Sequence, residues 1–354
     1  MSKYWNDKVK KIEPYVPGEQ PKDKKYIKLN TNENPYPPSK KVMEAMKNAI
    51  NDDLKLYPDP TCSDLTREIA DYYNLDQDEI FIGNGSDEIL AFAFMAFFSK
   101  DKKILFPDIS YTFYKVYAEL LDLDYKLVKL DENFDIPLKK LKKENGGVII
   151  PNPNAPTGKY IDTDKLKKLV EANKDSVVII DEAYIDFGGE SMVKSIKDYD
   201  NLLVVQTLSK SRSLAGLRVG FALGHKDLIE GLNRIKNSIN SYTIDRVALA
   251  GATEAIKDNE YFEEITMKII STREKVSTEL ERLDFNVLES KSNFVFVSHN
   301  KVSGKFLYET LKEQGVLVRY FNKDRIDNFL RITIGTDEEM GILIEKLKLI
   351  LSQN

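Results

Sequence analysis

A chain of 354 residues is longer than one average domain and shorter than three, so it can bury a large core and still spare surface for a cleft. A hydrophobic fraction of 42% places it among folded globular proteins, and a net charge of −5 with both signs interspersed excludes the basic face of a nucleic-acid binder. The single cysteine, Cys62, permits no internal disulfide and fits a reducing cytoplasm, while two distant histidines, His225 and His299, predict no metal site.

Residues 1–15 are polar and charged, which predicts no signal peptide, and the longest apolar stretch, residues 89–98, is too short to span a bilayer. In chain order, apolar runs at residues 80–82, 104–106, 125–130, 148–150, 177–180, 202–207 and 219–223 predict short strands. Several are unbroken Val/Ile/Leu runs, as in strands buried on both faces of a mainly parallel sheet. Helical patterns at 87–98, 113–121 and 163–173 lie between them, and the alternation predicts a large, doubly wound α/β unit. The basic runs at 139–143 and 165–168 alternate with Leu at helical spacing and read as solvated helix faces. From 226 to 283 the pattern is helical and charged, with one long stretch over 259–283. Strand-like runs at 293–297, 315–319 and 329–334 then frame a helical pattern at 302–314, and a helix over 338–351 closes a smaller α/β unit. The expected division is an arm over 1–40, a large unit over 41–245 and a small unit over 246–354.

Ligands of a parallel sheet bind at the carboxyl ends of its strands, so the residues after each run matter most. After the first come Gly83-Asn84-Gly85-Ser86-Asp87-Glu88 and an apolar helix, which suit either a phosphate at a helix N-terminus or a plain turn. After 148–150 comes Pro151-Asn152-Pro153-Asn154-Ala155-Pro156-Thr157-Gly158, a stiff turn open to cis X–Pro bonds. After 177–180 comes Asp181-Glu182-Ala183-Tyr184. A carboxylate ending a buried strand needs a partner, which a helix N-terminus or a protonated ring nitrogen would supply. After 202–207 comes Leu208-Ser209-Lys210-Ser211-Arg212-Ser213, with Arg218 eight positions beyond Lys210. Hydroxyls and a guanidinium suit a phosphate, and a buried lysine amine is a nucleophile for a carbonyl, although a solvated turn would use the same residues. Together, a phosphate loop, a stiff turn, a buried acid and a lysine are the parts that pyridoxal 5′-phosphate (PLP) requires.

These segments resemble the signature of the class I/II, fold-type-I aminotransferases. The resemblance runs from the N-terminal arm to the last helix. Within that superfamily, Glu13-Pro14-Tyr15, Leu29-Asn30-Thr31-Asn32-Glu33-Asn34-Pro35-Tyr36, Tyr57-Pro58-Asp59 and Phe329-Leu330-Arg331-Ile332-Thr333-Ile334-Gly335-Thr336 are most similar to the histidinol-phosphate aminotransferases. The resemblance implies that Lys210 holds PLP covalently and shuttles the substrate proton. It implies that Asp181 pairs with the pyridine nitrogen, that Tyr184 donates to the phenolic oxygen and that Tyr111 stacks on the ring. Ser86, Asp87, Ser209 and Arg218 would cradle the phosphate. Tyr57 would reach the cofactor of a second copy, which implies a homodimer. Tyr15, Arg319 and Arg331 would hold a substrate phosphate, with 2-oxoglutarate and glutamate as the other substrate pair. The sequence departs from the family at Ala155, where an asparagine donor is usual. Either Tyr184 then donates alone or Asn154 substitutes. The rival readings are an aromatic or broad-range amino-acid aminotransferase, a threonine-phosphate decarboxylase of the same fold, and a PLP-binding regulator.

Overall fold

The computed structural model describes residues 2–15, 18–142 and 144–353. Lys143, the end of one basic run, lies outside them. Helix α1 (Asp7–Lys11) precedes strand β1 (Ile27–Leu29), helices α2 (Lys40–Asn48) and α3 (Ser63–Tyr73), and strand β2 (Ile80–Gly83). The alternation then runs α4 (Gly85–Phe97), β3 (Ile104–Pro107), α5 (Phe113–Leu120), β4 (Tyr125–Val128), β5 (Gly147–Pro151), α6 (Thr163–Glu171), β6 (Val178–Asp181), β7 (Leu202–Thr207) and β8 (Gly220–Gly224).

Strands β2 to β8 form one sheet in the order β2-β8-β7-β6-β5-β3-β4. Strands β4, β3, β5, β6 and β7 pair in parallel, and β8 runs antiparallel to both of its neighbours. Every residue of β5, β6 and β7 is buried, which is why those runs are apolar without alternation. The reversed strand matters for chemistry. The parallel strands end at one edge, and β8 begins there, with Gly220 opposite both Thr207 and Gly83. The residues just before β8, Arg218 among them, therefore join the carboxyl-end loops of the other strands.

The rest of the chain forms α7 (Lys226–Ile239), α8 (Arg246–Lys257), α9 (Asn259–Arg282), β9 (Phe285–Val287), β10 (Phe294–His299), α10 (Gly304–Glu313), β11 (Val316–Tyr320), β12 (Leu330–Thr333) and α11 (Asp337–Ser352). A second sheet has the order β1-β11-β12-β10-β9. Strand β1 reaches it from the N-terminal arm and pairs in parallel with β11. Helix α11 starts on a reciprocal cap between Thr336 and Glu339. It then buries Met340, Leu343, Ile344, Leu347 and Ile350, an i, i+3, i+4, i+7 stripe, in the core of the second sheet. Helix α8 instead packs on α2 and α3 and contributes Ala248, Ala252, Ala255 and Ile256 to the core of the first sheet. The basic run at 139–142 forms only a 3₁₀ turn over Leu138–Leu141, whereas the run in α6 is helical. Among the described residues no helix is long and apolar enough to cross a membrane.

Helix α9 ties the two sheets together through Arg273, which is 5% exposed. Its Nη1 donates to the Phe187 carbonyl at 2.8 Å, beyond β6, and to the Ser292 carbonyl at 2.9 Å, before β10. Replacing Arg273 by leucine would leave both carbonyls buried and unpaired. We expect Arg273→Leu to cost on the order of 3 kcal/mol of stability, read as a lower urea midpoint. A midpoint equal to that of the unsubstituted protein would contradict this account.

Candidate active site

Strand β6 ends at Asp181, which is 5% exposed. Tyr114, fully buried on α5, donates its hydroxyl to Asp181 Oδ2 at 2.6 Å, and the Ala183 N–H donates to Oδ1 at 3.2 Å. No cation bonds the carboxylate among the described residues. Burial raises its pKa from 3.8 to about 6, against the lowering effect of the two donors. This is the environment expected of a carboxylate that awaits a cationic partner.

Lys210 stands in the turn after β7, with Nζ 5.8 Å from the centroid of the Tyr184 ring. That turn is clamped from several directions. Asn34 Nδ2 donates to the carbonyls of Lys210 (3.0 Å) and Ser211 (3.2 Å), and the Ser211 hydroxyl donates to Asp186 at 2.5 Å. Arg212 donates to the Ala255 carbonyl at 2.6 Å, with its guanidinium 3.6 Å from the Phe262 ring centroid.

A loop framework suited to an anion is built where α4 meets β8. Helix α4 has no side-chain cap at its N-terminus, so its first N–H groups are free for an anion. Gly85 has φ +76°, and a Cβ there would lie 2.6 Å from an Arg218 nitrogen. A Cβ on Gly220 would lie 2.7 Å from the Ser86 nitrogen. Both glycines are therefore fixed by close approach. Arg218, itself left-handed at φ 55°, donates to Ser209 Oγ at 3.4 Å and to Asp87 Oδ2 at 3.1 Å. Asp87 also accepts from the Tyr111 hydroxyl at 2.6 Å, and Glu88 turns back to the Asn84 N–H at 2.7 Å.

These groups line one cleft of about 550 Å³, counting its mouth, with Ser86, Asp87, Tyr111, Ala155, Asp181, Tyr184, Ser209, Lys210 and Arg218 in its wall. A second space of about 970 Å³ shares Tyr111, Ala155, Tyr184 and Lys210 with it and adds Tyr15, Arg319 and Arg331. Arg319 on β11 and Arg331 on β12 are direct cross-strand partners. Their guanidinium carbons lie 5.5 and 5.7 Å from the centroid of the Phe321 ring. Among the described residues Arg331 donates one bond, to the Asn30 carbonyl at 3.0 Å, and its Nε is shielded from solvent with no partner. A sheltered guanidinium with idle donors is a seat for an anion. Tyr15 leans on Phe113, ring centroids 4.4 Å apart.

The residues present thus fit PLP: a cradle for phosphate, a lysine at carbonyl reach of the cleft, and a buried carboxylate without a cation. Two sequence-based candidates stand apart. Asn154 does not line the cleft, and its amide donates to the Ile109 carbonyl at 3.1 Å and Thr157 Oγ1 at 3.0 Å. Its side chain belongs to the loop, which has cis peptide bonds at Asn152-Pro153 and Ala155-Pro156. Tyr57 is 77% exposed and stacked on Tyr242 at 4.6 Å, away from both spaces of its own chain. Tyr114, Asn32 and Asn34 were not singled out from sequence. Tyr114 lies in the first turn of α5, and the two asparagines lie in a segment read only for its resemblance.

The aminotransferase class I and II family model matches residues 24–347. The chain is 82% identical to the histidinol-phosphate aminotransferase of Clostridium beijerinckii, across all of this chain and 99% of that one. It is 64% identical to that of Clostridium acetobutylicum, over 98% of this chain and 99% of that one. Among solved structures, a Clostridium acetobutylicum histidinol-phosphate aminotransferase superimposes with TM-score 0.86 at 28% identity, covering 93% of this chain and 100% of that one. One from Sinorhizobium meliloti, in complex with pyridoxal-5′-phosphate, gives 0.90 at 21% identity over 100% and 99% of the two chains, a likeness of fold.

The buried acid generates a pH prediction. A pKa of about 6 in the folded chain against 3.8 unfolded means that the fold binds the proton more tightly. Asp181 therefore stabilises the cofactor-free protein at low pH, and that contribution is lost as pH rises from about 4 through about 6, roughly 3 kcal/mol in all. Glu182, raised to about 7 by burial, has the same sign, so the comparison must be made by difference. Unfolding midpoints of Asp181→Asn minus wild type, both cofactor-free, should become more positive across that window. A flat difference would show that Asp181 is solvated.

Proposed function

The chain belongs to the class I and II aminotransferase family, and from that premise we propose that it transfers the amino group between L-histidinol phosphate and 2-oxoglutarate, with PLP as cofactor, in histidine biosynthesis. It is a PLP-dependent transferase. The observation that carries the substrate reading is the pairing of Arg319 with Arg331 across two adjacent strands, one guanidinium holding an idle, sheltered Nε. A phosphate carries close to two negative charges, and two guanidinium forks match its oxygens in sign and geometry.

When bound, PLP supplies an aldehyde that condenses with amines and a ring that withdraws electrons from the reacting carbon. The chain's own groups do the rest. Lys210 would hold the cofactor, and its Nζ would take the proton from the substrate carbon that bears the amine. Asp181, held by Tyr114, would offer its carboxylate to the ring nitrogen and favour its protonated form. Arg218, Ser209 and the α4 N-terminus would retain the phosphate of the cofactor. Tyr111 walls the cleft, and Arg319, Arg331 and Tyr15 orient the substrate through its phosphate. The packing of α8 on α2 and α3 supports a division of the chain within α9, later than residue 245.

We expect Arg319→Ala and Arg331→Ala each to lower kcat/KM for histidinol phosphate by one to two decades, about 1.5–3 kcal/mol, chiefly through KM. Histidinol, a poor substrate from the start, should lose little more. An enzyme that takes α-carboxylate donors would instead lose them all with Arg331→Ala and keep them with Arg319→Ala, and a wild-type preference for phenylalanine or aspartate would reject the substrate reading.

The second part of the proposal is a homodimer in which Tyr57 enters the partner's site. Its exposure, its stacking on Tyr242 and its distance from its own cleft support this reading, as do the exposed Ile50, Leu54 and Leu56 nearby. Tyr57→Phe should weaken cofactor retention. Mixed with inactive Lys210→Ala subunits, it should gain activity, because one of the two sites in the heterodimer then carries neither defect. No gain despite confirmed subunit exchange would mean that Tyr57 acts within its own chain. A cytoplasmic setting accords with the single, reduced Cys62.

A further inference from the structure

Ala155 leaves a chemical gap. A phenolic oxygen on a bound PLP has lost one of its usual side-chain donors, and Asn154 does not replace it, because both amide hydrogens go to Ile109 and Thr157. Tyr184 is left as the side-chain donor, so the direction of its single hydroxyl proton becomes decisive. A phenol can donate that proton to any acceptor nearby, and its oxygen can accept in turn.

The structure fixes that direction. Asn32 Nδ2 donates to the Tyr184 hydroxyl oxygen at 2.9 Å, the one hydrogen bond that oxygen makes among the described residues. The amide is itself held in one orientation. The Asn32 backbone N–H donates to Thr333 Oγ1 at 3.0 Å, and the threonine hydroxyl donates its own proton to Asn32 Oδ1, also at 3.0 Å. Asn293 Nδ2 donates to the Asn32 carbonyl at 2.9 Å. A flipped amide would set Oδ1 against Tyr184 and turn Nδ2 toward Thr333, losing the bond that the threonine donates to Oδ1 and leaving that hydroxyl proton without another acceptor among the described residues. Asn32 is 1% exposed and stands at φ 59°, a left-handed conformation that asparagine tolerates better than most residues.

We propose that Asn32 is a positioning residue, acting through Tyr184: by donating to the phenol oxygen it obliges Tyr184 to turn its proton into the cleft, toward the cofactor's phenolic oxygen. Donation into an oxygen also polarises the O–H it carries, which strengthens the outgoing bond. The role of the missing asparagine at 155 is thereby taken up one step removed, by a different asparagine that touches the tyrosine and not the cofactor. Lys210, Arg331, Tyr111 and Tyr114 face Tyr184, and Asp87 and Asp181 line the same cleft. Neither carboxylate hydrogen-bonds the Tyr184 hydroxyl among the described residues: Asp87 accepts from Tyr111 and Arg218, and Asp181 from Tyr114 and the Ala183 N–H.

The inference rests on the PLP reading, and its test separates the two. A donor at the phenolic oxygen makes that oxygen less basic. The nitrogen joining Lys210 to the cofactor then gives up its proton at lower pH, which moves the visible absorption band. The measurement is the pH midpoint of that band in the intact holoenzyme. Asn32→Gly keeps the left-handed backbone and deletes the amide, and it should raise the midpoint by roughly half a unit to one unit. Asn32→Asp places an acceptor against the phenol, draws the phenol proton away from the cleft and should raise the midpoint by about one unit or more. In a Tyr184→Phe background neither change should add anything. Thr333→Val frees the amide to rotate and should shift the midpoint the same way by less. It carries the test alone if the Asn32 variants do not fold. Unshifted midpoints in cooperatively folding variants, or a full shift persisting in the Tyr184→Phe background, would overturn the proposal. Wild-type protein reconstituted with PLP that shows no visible band would instead sink the cofactor assignment.

Discussion

A carboxylate at the end of a buried strand, met by two hydrogen bonds and no cation, is the constraint around which the rest is arranged. Asp181 has one donor from Tyr114 and one from the Ala183 backbone, and burial still lifts its pKa to about 6. Left so, the group is a liability, because a desolvated charge without a partner is expensive. A cationic ring nitrogen would resolve it. With a ring nitrogen at the end of β6, the proposed cofactor would find Lys210 in the turn after β7 and the uncapped N-terminus of α4 beside β8. The clamps on those turns, Asn34 on the lysine and Gly85 against Arg218, keep the distances short.

Sheet topology explains why residues spread from 86 to 218 meet at one edge, and much of that was legible in the sequence. Unbroken Val/Ile runs predicted the buried parallel strands, and the loops at their carboxyl ends supplied Ser86, Asp87, Asp181, Tyr184, Ser209 and Lys210, all in a single cleft. Arg218 reaches that edge by a different route, as the residue leading into the one antiparallel neighbour of β7. The reading failed where pairing, not pattern, makes the element. Strands β1 and β9 have three residues each, too few to show a period, and each exists because a longer strand is there to hydrogen-bond it. The basic run after residue 138 had helical spacing but forms a single 3₁₀ turn, since Leu141 alone of the described run is buried.

The partners of the catalytic groups were harder to read than the groups themselves. Asp181 and Lys210 announce themselves by their place directly behind apolar runs. Tyr114 does not, because an aromatic residue in the first turn of an amphipathic helix is the ordinary pattern of a core face, and only the fold reveals that its hydroxyl ends on a carboxylate. Asn154 shows the converse error. It was a candidate because it neighbours the vacant family position, yet adjacency in a proline-stiffened turn does not give adjacency in space. The turn aims Ala155 at the cleft and folds Asn154 back onto Ile109 and Thr157.

The arm makes the last connection, because its register decides what the cleft contains. Strand β1 pairs Leu29 with Val318 on β11, and the residues after it run on against β12, where Arg331 bonds the Asn30 carbonyl and Thr333 bonds the Asn32 N–H. Arg331 and Thr333 are two apart on one strand and so share a face. One face of β12 therefore presents a guanidinium to the second space of the cleft and a hydroxyl to the Asn32 amide that bonds Tyr184. A slip of one residue in β1 would remove Asn32 from Thr333 and the Asn30 carbonyl from Arg331 together. The buried Leu29, in the same core as Val318 and Ile332, makes that slip costly, since it would turn Leu29 outward and bring Lys28 or Asn30 into its place. A hydrophobic contact in the second sheet thus sets the hydrogen bonds of Arg331 and of Asn32 together.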